Sequence, residues 1–290
     1  MTSASSTPGV PRVSVVIPSW SAEAFIAETV ASVLAQSLSD WELVIVDDAS
    51  PDATVAAARA ATGDDPRVRI EVNPVNLGPA GNWNRAVSMA RAPYVKLLCS
   101  DDVLLPDCLA RQAAVLDAHG EAGLVAARRD VIDARGRVRF ASRGLQGLRA
   151  VMDGPSAIRA MVACATTPFG EPSVVLFRRA ALESIDASGN GPFDERFGSL
   201  IDVDAYARIL RNWGCVAIDA TLARFRMSTG SWSDRSHAVQ GANARRLFRE
   251  LAADPSLGIS RGLLARCIAR TYVNQWGRRA AFGLESLRRT

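Results

Sequence analysis

At 290 residues the chain is long enough for one large α/β domain, with or without a helical extension. Its 48% apolar content suits an ordinary globular core, and no run approaches the roughly 18 apolar residues of a membrane-spanning helix. The five cysteines are scattered, with no C-x-x-C, which argues against a disulfide framework or a zinc knuckle and for a reducing, cytoplasmic setting.

Residues 1–11, opening Met-Thr-Ser-Ala-Ser-Ser-Thr, read as a disordered leader, and no charged segment followed by an apolar run marks a secretory signal. Val13–Ile17 is an apolar strand. Ala22–Gln36 carries Phe25, Ile26, Val30, Val33 and Leu34 at helical spacing. Leu43–Val46 is a strand, and Asp52–Ala61 an alanine-rich helix with Asp52 as its N-cap. Val68–Val72 is a strand, Pro79–Ala90 a helix with proline in its first turn, Tyr94–Leu98 a strand and Pro106–Ala118 a helix. Strands alternating with helices of this length predict βαβ units on a mostly parallel sheet. The second half is less regular. Leu124–Ile132 and Val138–Ala141 read as strands about the Arg135-Gly136 turn, Ser156–Ala163 as a short helix and Ser173–Phe177 as a strand. Asp204–Trp213 reads as a helix stopped by Gly214, followed by short strands at Val216–Ile218 and Leu222–Phe225.

Two of the strands end in paired acids, Asp47-Asp48 and Asp101-Asp102. A carboxylate pair at the carboxyl end of a parallel strand does little for stability. It lies where open α/β sheets bind ligands, and it offers the oxygen donors that Mg²⁺ or Mn²⁺ prefers. Lys96, the single lysine of the chain, lies in the strand before the second pair and reads either as a phosphate contact or as an edge lysine with its amine in solvent. From Arg245 onward there are ten arginines against three acids, so a basic tail follows a slightly acidic body. The tail carries Leu263, Leu264, Ile268, Tyr272, Trp276 and Phe282. It reads as a helix pair packing its apolar stripe on the body, with peripheral contact to an anionic inner-membrane face as the alternative. No nucleic-acid-binding module accompanies the charge.

In order along the chain, several segments resemble family 2 glycosyltransferases of the inverting GT-A fold. They are Val13–Trp20, Ser32–Asp52, Asn76-Leu-Gly-Pro79, Asn82-Trp-Asn84, Ser100–Asp102 with Leu105-Pro106, Gly170–Arg179 and Phe193–Arg208. The resemblance spans about residues 12–230 and implies a Rossmann-like sheet flanked by helices over 12–232, with residues 233–290 as a basic C-terminal helical extension. It also implies transfer of a sugar from a nucleoside-diphosphate donor, most simply a UDP-sugar, to a hydroxyl of a glycan, a lipid-linked glycan or a small metabolite.

By motif position, Pro18 and Trp20 line the nucleotide pocket, with Trp20 stacked on the base. Asp48 accepts from a base N–H, and Asn76 and Gly78 belong to the same nucleotide site. Asp101 lies near the ribose, and Asp102 holds the Mn²⁺ or Mg²⁺ of the diphosphate. Ser100 stands where many relatives carry the first acid of an Asp-x-Asp. Asp202 matches the catalytic base, with Asp204 and then Asp194 as competitors. Ile201 replaces a glutamate usual before it. Glu171 is placed to touch donor sugar or acceptor. Apart from the motifs, the polar loop Ser231–His237 is positioned to close over the diphosphate, with His237 as a candidate metal ligand or a solvated loop residue. Asp47 and Ser50 read as braces of the turn. Two other readings fit the same fold: a non-catalytic carbohydrate-binding scaffold, and a nucleotidyltransferase making nucleotide sugars. The second lacks its glycine-rich phosphate loop.

Overall fold

The computed structural model describes residues 9–227 and 232–287, apart from the side chains of 232–238 and 275–287. The proposed leader therefore lies mostly outside the described residues, as does the side chain of His237. The strands are β1 (Val13–Ser19), β2 (Trp41–Asp47), β3 (Val68–Val72), β4 (Tyr94–Leu97), β5 (Val103–Leu104), β6 (Ala122–Ile132), β7 (Val138–Arg143), β8 (Val151–Met152), β9 (Val175–Arg178) and β10 (Gly214–Arg226). The helices are α1 (Ile26–Leu34), α2 (Thr54–Thr62), α3 (Gly78–Ser88), α4 (Cys108–Ala118), α5 (Gly154–Cys164), α6 (Arg179–Glu183), α7 (Ile201–Ile209), α8 (Trp232–Ala252) and α9 (Arg261–Leu287).

The strands join one sheet in the order β3-β2-β1-β4-β9-β6-β10-β5, with β7 added on β6 and β8 on β10. The first four positions are parallel, and β9 enters antiparallel to both β4 and β6. β1 and β2 are buried along their whole length, which is why they read as continuous apolar runs rather than alternating ones. The chain order reverses between β1 and β4, and a crevice opens outside the carboxyl ends of strands at such a point. Both acid pairs flank that crevice.

Several boundaries differ from the sequence reading, each for a local reason. α1 begins at Ile26 because the chain first turns tightly at Ala22, whose carbonyl accepts from Phe25 N and Ile26 N, both at 2.9 Å. Asp52 does not cap α2. Its carboxylate takes Thr54 N at 3.1 Å and Thr54 Oγ1 at 2.5 Å, so it braces the turn and Ala53 becomes the cap residue. α7 starts three residues earlier than expected, at Ile201, and Gly214 opens β10 rather than only closing a helix. The two short strands expected near the end are one strand, β10, bent by register shifts around Thr221. The polar segment expected as a loop up to His237 is helical from Trp232.

The basic tail packs on the body where it is described. Leu247, Phe248, Leu251, Leu257 and Cys267 are buried, Arg246 lies 5.1 Å over Phe197, and Arg245 lies 4.2 Å over Tyr272. Arg159 of α5 donates to Leu257 O at 2.9 Å. Among the described residues no helix is long and apolar enough to cross a membrane.

Candidate active site

A cavity of about 680 Å³ opens at the switch point, within the size range of small-molecule sites. Pro18, Ser19 and Trp20 enter it from the end of β1, Asp48 from β2, Asn76 and Gly78 from the start of α3, and Cys99, Ser100 and Asp101 from β4. Glu171, Ser199, Asp202 and Arg226 close the other side. The expected nucleotide residues and the expected base therefore share one cavity, and Asp102 lies directly beneath it.

The rim on the β1–β2 side is rigid. Asp47 takes Ser50 N at 2.8 Å, Ser50 Oγ at 2.6 Å and Ser19 Oγ at 3.0 Å, which is the bracing role its position suggested. Asp48 takes Asn73 Nδ2 at 2.7 Å and Leu77 N at 2.8 Å on one oxygen, and Gly78 N at 3.0 Å on the other. A carboxylate offers about four acceptor sites, so Asp48 keeps little capacity for a ligand beyond tying residues 73–78 to the strand end. Asn76 completes that tie, donating to Asp48 O at 3.1 Å and accepting from Gly78 N at 3.1 Å. Gly78 holds φ +76°, a left-handed conformation in which a side chain is strained. Ser21 and Ala49, which follow the strand ends, also sit at positive φ, at a cost of about 1–3 kcal/mol each. Trp20 is 43% exposed at the cavity mouth, so its ring is presented outward and is not core filling.

The second pair is held differently. Asp102 is fully buried; its Oδ1 accepts from Arg226 N at 2.8 Å, while its Oδ2 is buried without a hydrogen-bond partner. Burial first, and then the neighbouring Asp101, push its carboxyl well above the usual range. Asp101, also driven by burial, is pushed up to about 6. Arg226 organises this loop from its own buried position. Its Nε donates to Asp101 O at 2.8 Å, an Nη donates to Glu28 at 2.6 Å, and the guanidinium lies 4.9 Å over Phe25.

Asp202 stands in the first turn of α7. Its carboxyl is pushed up to about 7, by burial first and by Glu171 among the neighbouring charges, against the lowering pull of Val203 N and Arg129. Glu171 is itself paired with Arg129, whose Nη2 donates to Oε1 at 3.0 Å. Gly170, at φ +85°, lets the chain pass close to that guanidinium, since a Cβ there would lie 3.1 Å from Arg129 Nη1. Burial first, and then the carboxyls of 102, 101 and 202, push the thiol of Cys99 on the cavity lining well above its ordinary range. Asp204 is spent elsewhere: Arg196 and Arg208 bind its two oxygens at 2.6 and 2.8 Å. Asp194 is exposed, turned to Arg196 N at 2.8 Å.

A divalent cation is tested by Asp102 Oδ2, a buried oxygen with no hydrogen-bond partner at bonding distance; the nearby Ser173 hydroxyl only partly offsets the effect of burial on this carboxyl. Such an orphaned atom suits a cation or a bridging water. No group of three or more ligating side chains gathers among the described residues. A cation here would rest on one or two carboxylates and take its remaining ligands from water and phosphate, which is the usual Mg²⁺ arrangement. The donor set fits on those terms.

The structure corrects one expectation and adds residues that had been given no role. Lys96 does not reach a phosphate or solvent. It is fully buried, with Nζ donating to Gln112 Oε1, Val175 O and Ser173 O at 2.6, 2.9 and 3.2 Å, and burial lowers its pKa. The 3₁₀ turn it anchors carries Ser173, whose hydroxyl accepts from Cys99 N at 3.0 Å at the floor of the acid pair. Arg226, Glu28 and Ser199 had no sequence signal beyond residue type, and Asn82 lay in a resembling segment without a role assigned to it. An arginine ending an apolar strand, as Arg226 ends β10, is the one hint the chain offered.

Residues 14–186 match the model of glycosyl transferase family 2. The succinoglycan biosynthesis protein ExoO of Rhizobium meliloti is 38% identical over 128 residues, which is 44% of this chain and 36% of ExoO. The chain thus spans only part of the length of that relative. Among solved structures, S. aureus TarS in complex with UDP-GlcNAc superposes with a TM-score of 0.67 at 17% identity, covering 91% of this chain and 72% of the TarS chain. The mannosyltransferase PcManGT of Pyrobaculum calidifontis, in complex with GDP-Man and Mn²⁺, gives 0.64 at 18% identity over 94% and 76%. These likenesses show a shared fold.

Proposed function

The chain belongs to glycosyl transferase family 2, and from that membership we propose that it moves a sugar from a nucleoside-diphosphate donor to an acceptor hydroxyl with inversion. The observation that carries this reading is the meeting of an outward-facing tryptophan, Asp101 and the near-neutral Asp202 in one cavity at the switch point, with the partly unsatisfied Asp102 next to Asp101 in the chain. UDP is the donor we favour, in keeping with the TarS complex, and GDP is the alternative the mannosyltransferase complex brings.

In this reading Trp20 stacks on the base, a contact worth about 1–3 kcal/mol. Pro18 walls the base, and Asp48, Asn76 and Gly78 fix the loop beneath it, with Asp48 presenting its remaining lone pair to a ring N–H. Asp101 orients the ribose. Asp102 and Asp101 would hold Mn²⁺ or Mg²⁺, which supplies charge neutralisation on the departing diphosphate. Asp202 accepts the proton of the acceptor hydroxyl as that oxygen bonds to the anomeric carbon, while the bond from that carbon to the diphosphate oxygen breaks. A carboxylate titrating near 7 is matched to base catalysis at neutral pH. Glu171, held by Arg129, faces the same space and orients the sugar undergoing transfer.

Turnover of a panel of UDP-, GDP- and dTDP-sugars with Mn²⁺, reading released nucleotide and the anomeric configuration of the product by NMR, tests the reading. One donor consumed with inversion is expected. Absence of turnover and of binding for every donor, or a retained configuration, would overturn it.

A further inference from the structure

The sheet face that carries the Arg129–Glu171 pair does not end at the cavity. β7 pairs with β6 so that Arg143 lies opposite Arg129 and Phe140 opposite Val131. Partners facing each other in a ladder share one face, so Phe140 and Arg143 lie on the face of Arg129, whose partner Glu171 lines the cavity. All six residues of β7 are exposed, and Phe140 keeps 57% of its surface. Residues 128–143 carry six arginines against Asp130 and Asp133. Asp133 is already shared by Arg137 and Arg139, and Asp130 accepts from Ser142 N at 2.9 Å.

Like charges directly opposite each other in a ladder are destabilising. Glu171 neutralises Arg129, but Arg143 has no ion pair or side-chain hydrogen bond among the described residues. The face is therefore left with an uncompensated guanidinium beside an exposed ring, leading to the cavity. The hairpin tip is also part of the site, because Ala134 lines the cavity and Arg226 donates to Asp133 O at 3.3 Å.

We infer that this face binds the acceptor, and that the acceptor is an acidic glycan bearing uronate carboxylates. The inference rests on the glycosyltransferase reading and names its acceptor class. A uronate joins an apolar C–H ring face to a carboxylate, the two features Phe140 and Arg143 offer side by side. The planar guanidinium takes a carboxylate with two parallel hydrogen bonds. A lipid surface is the poorer match: Val138 and Phe140 are the only large apolar side chains exposed on β7, too little to insert.

The test is binding of fluorescent tetragalacturonate and of maltotetraose to the full chain, to Arg143→Gln and to Phe140→Ser, with UDP binding measured on each. The wild type is expected to bind the acidic tetramer at least about tenfold more tightly than the neutral one, and Arg143→Gln to abolish that preference. Affinity for the acidic tetramer should fall with salt, and UDP affinity should stay unchanged in both variants. Equal binding of the two tetramers, no binding of either, or an acid preference surviving Arg143→Gln would each overturn the inference. So would Arg143-dependent binding to phosphatidylserine vesicles without binding of the tetramer. Loss of UDP binding by the wild type would instead strike the glycosyltransferase reading, which the tetramer arms do not measure.

Discussion

The two acid pairs look alike in sequence, each closing an apolar strand, and they differ in how many donors surround them. Asp47 and Asp48 together accept six hydrogen bonds from backbone and side-chain groups, so most of their acceptor capacity goes into shaping a loop. Asp102 accepts one backbone N–H and leaves an oxygen unmatched in a buried place, and Asp101 beside it titrates near 6. A carboxylate that accepts mostly from its own protein chiefly shapes structure; one left short of donors is prepared for a cation. The distinction lies in the donors, which come from residues 19, 50, 73, 77 and 78 for one pair and are missing for the other.

The contrast can be broken most sharply at Asp102. Asp102→Asn should lower kcat/KM by about 10³-fold, since charge neutralisation of a leaving group is worth several kcal/mol. An effect under tenfold at saturating Mn²⁺ would remove the pair from the chemistry. Asp202→Asn is expected to lower kcat by about 10²–10³-fold while nucleotide affinity persists, the signature of a lost base. Steady-state kinetics paired with UDP titration separates the two variants.

The same contrast predicts opposite stability changes. Asp48→Ala strips acceptors from three N–H groups and should destabilise by about 3 kcal/mol in urea denaturation. Asp202→Asn should instead stabilise. The carboxyl of Asp202 titrates near 7 in the folded chain and near 4 unfolded, so between those values the folded state holds more protons. Stability from this group is full below about pH 4 and is lost as pH rises to about 7. The gain in Tm for Asp202→Asn is therefore expected to be larger at pH 8 than at pH 4.5; an equal or reversed gain would contradict the burial of this carboxyl. The smallest effect is the pH profile itself. For the wild type, kcat/KM should climb up to about tenfold per unit below pH 7 and level above it.

Much of this site was legible because most of its residues end strands. Apolar runs such as Val13–Ile17 and Tyr94–Leu98 report parallel strands directly. The residues just after such a run fall at the sheet's carboxyl edge, which placed Trp20, Asp48 and Asp101 in one cavity. The rest was hidden because it was set by partners far along the chain. Lys96 is spaced like an edge residue, yet β9 and α4 close over it and turn its amine to carbonyls 77 and 79 residues away. Asp204 has Arg208 four residues on to bind one oxygen, which spacing could have shown, but the arrival of Arg196 from the preceding loop to take the other could not be read from it. β10 read as two strands because its bend at Thr221 interrupts the apolar pattern without interrupting the pairing.

Calorimetric titration of UDP into the wild type, Asp102→Asn and Asp202→Asn, each with and without Mn²⁺, tests the central claim most directly. Mn²⁺ should tighten UDP binding by at least about tenfold in the wild type and in Asp202→Asn, and have no effect in Asp102→Asn. UDP affinity that is the same with and without Mn²⁺ in all three proteins would contradict the account.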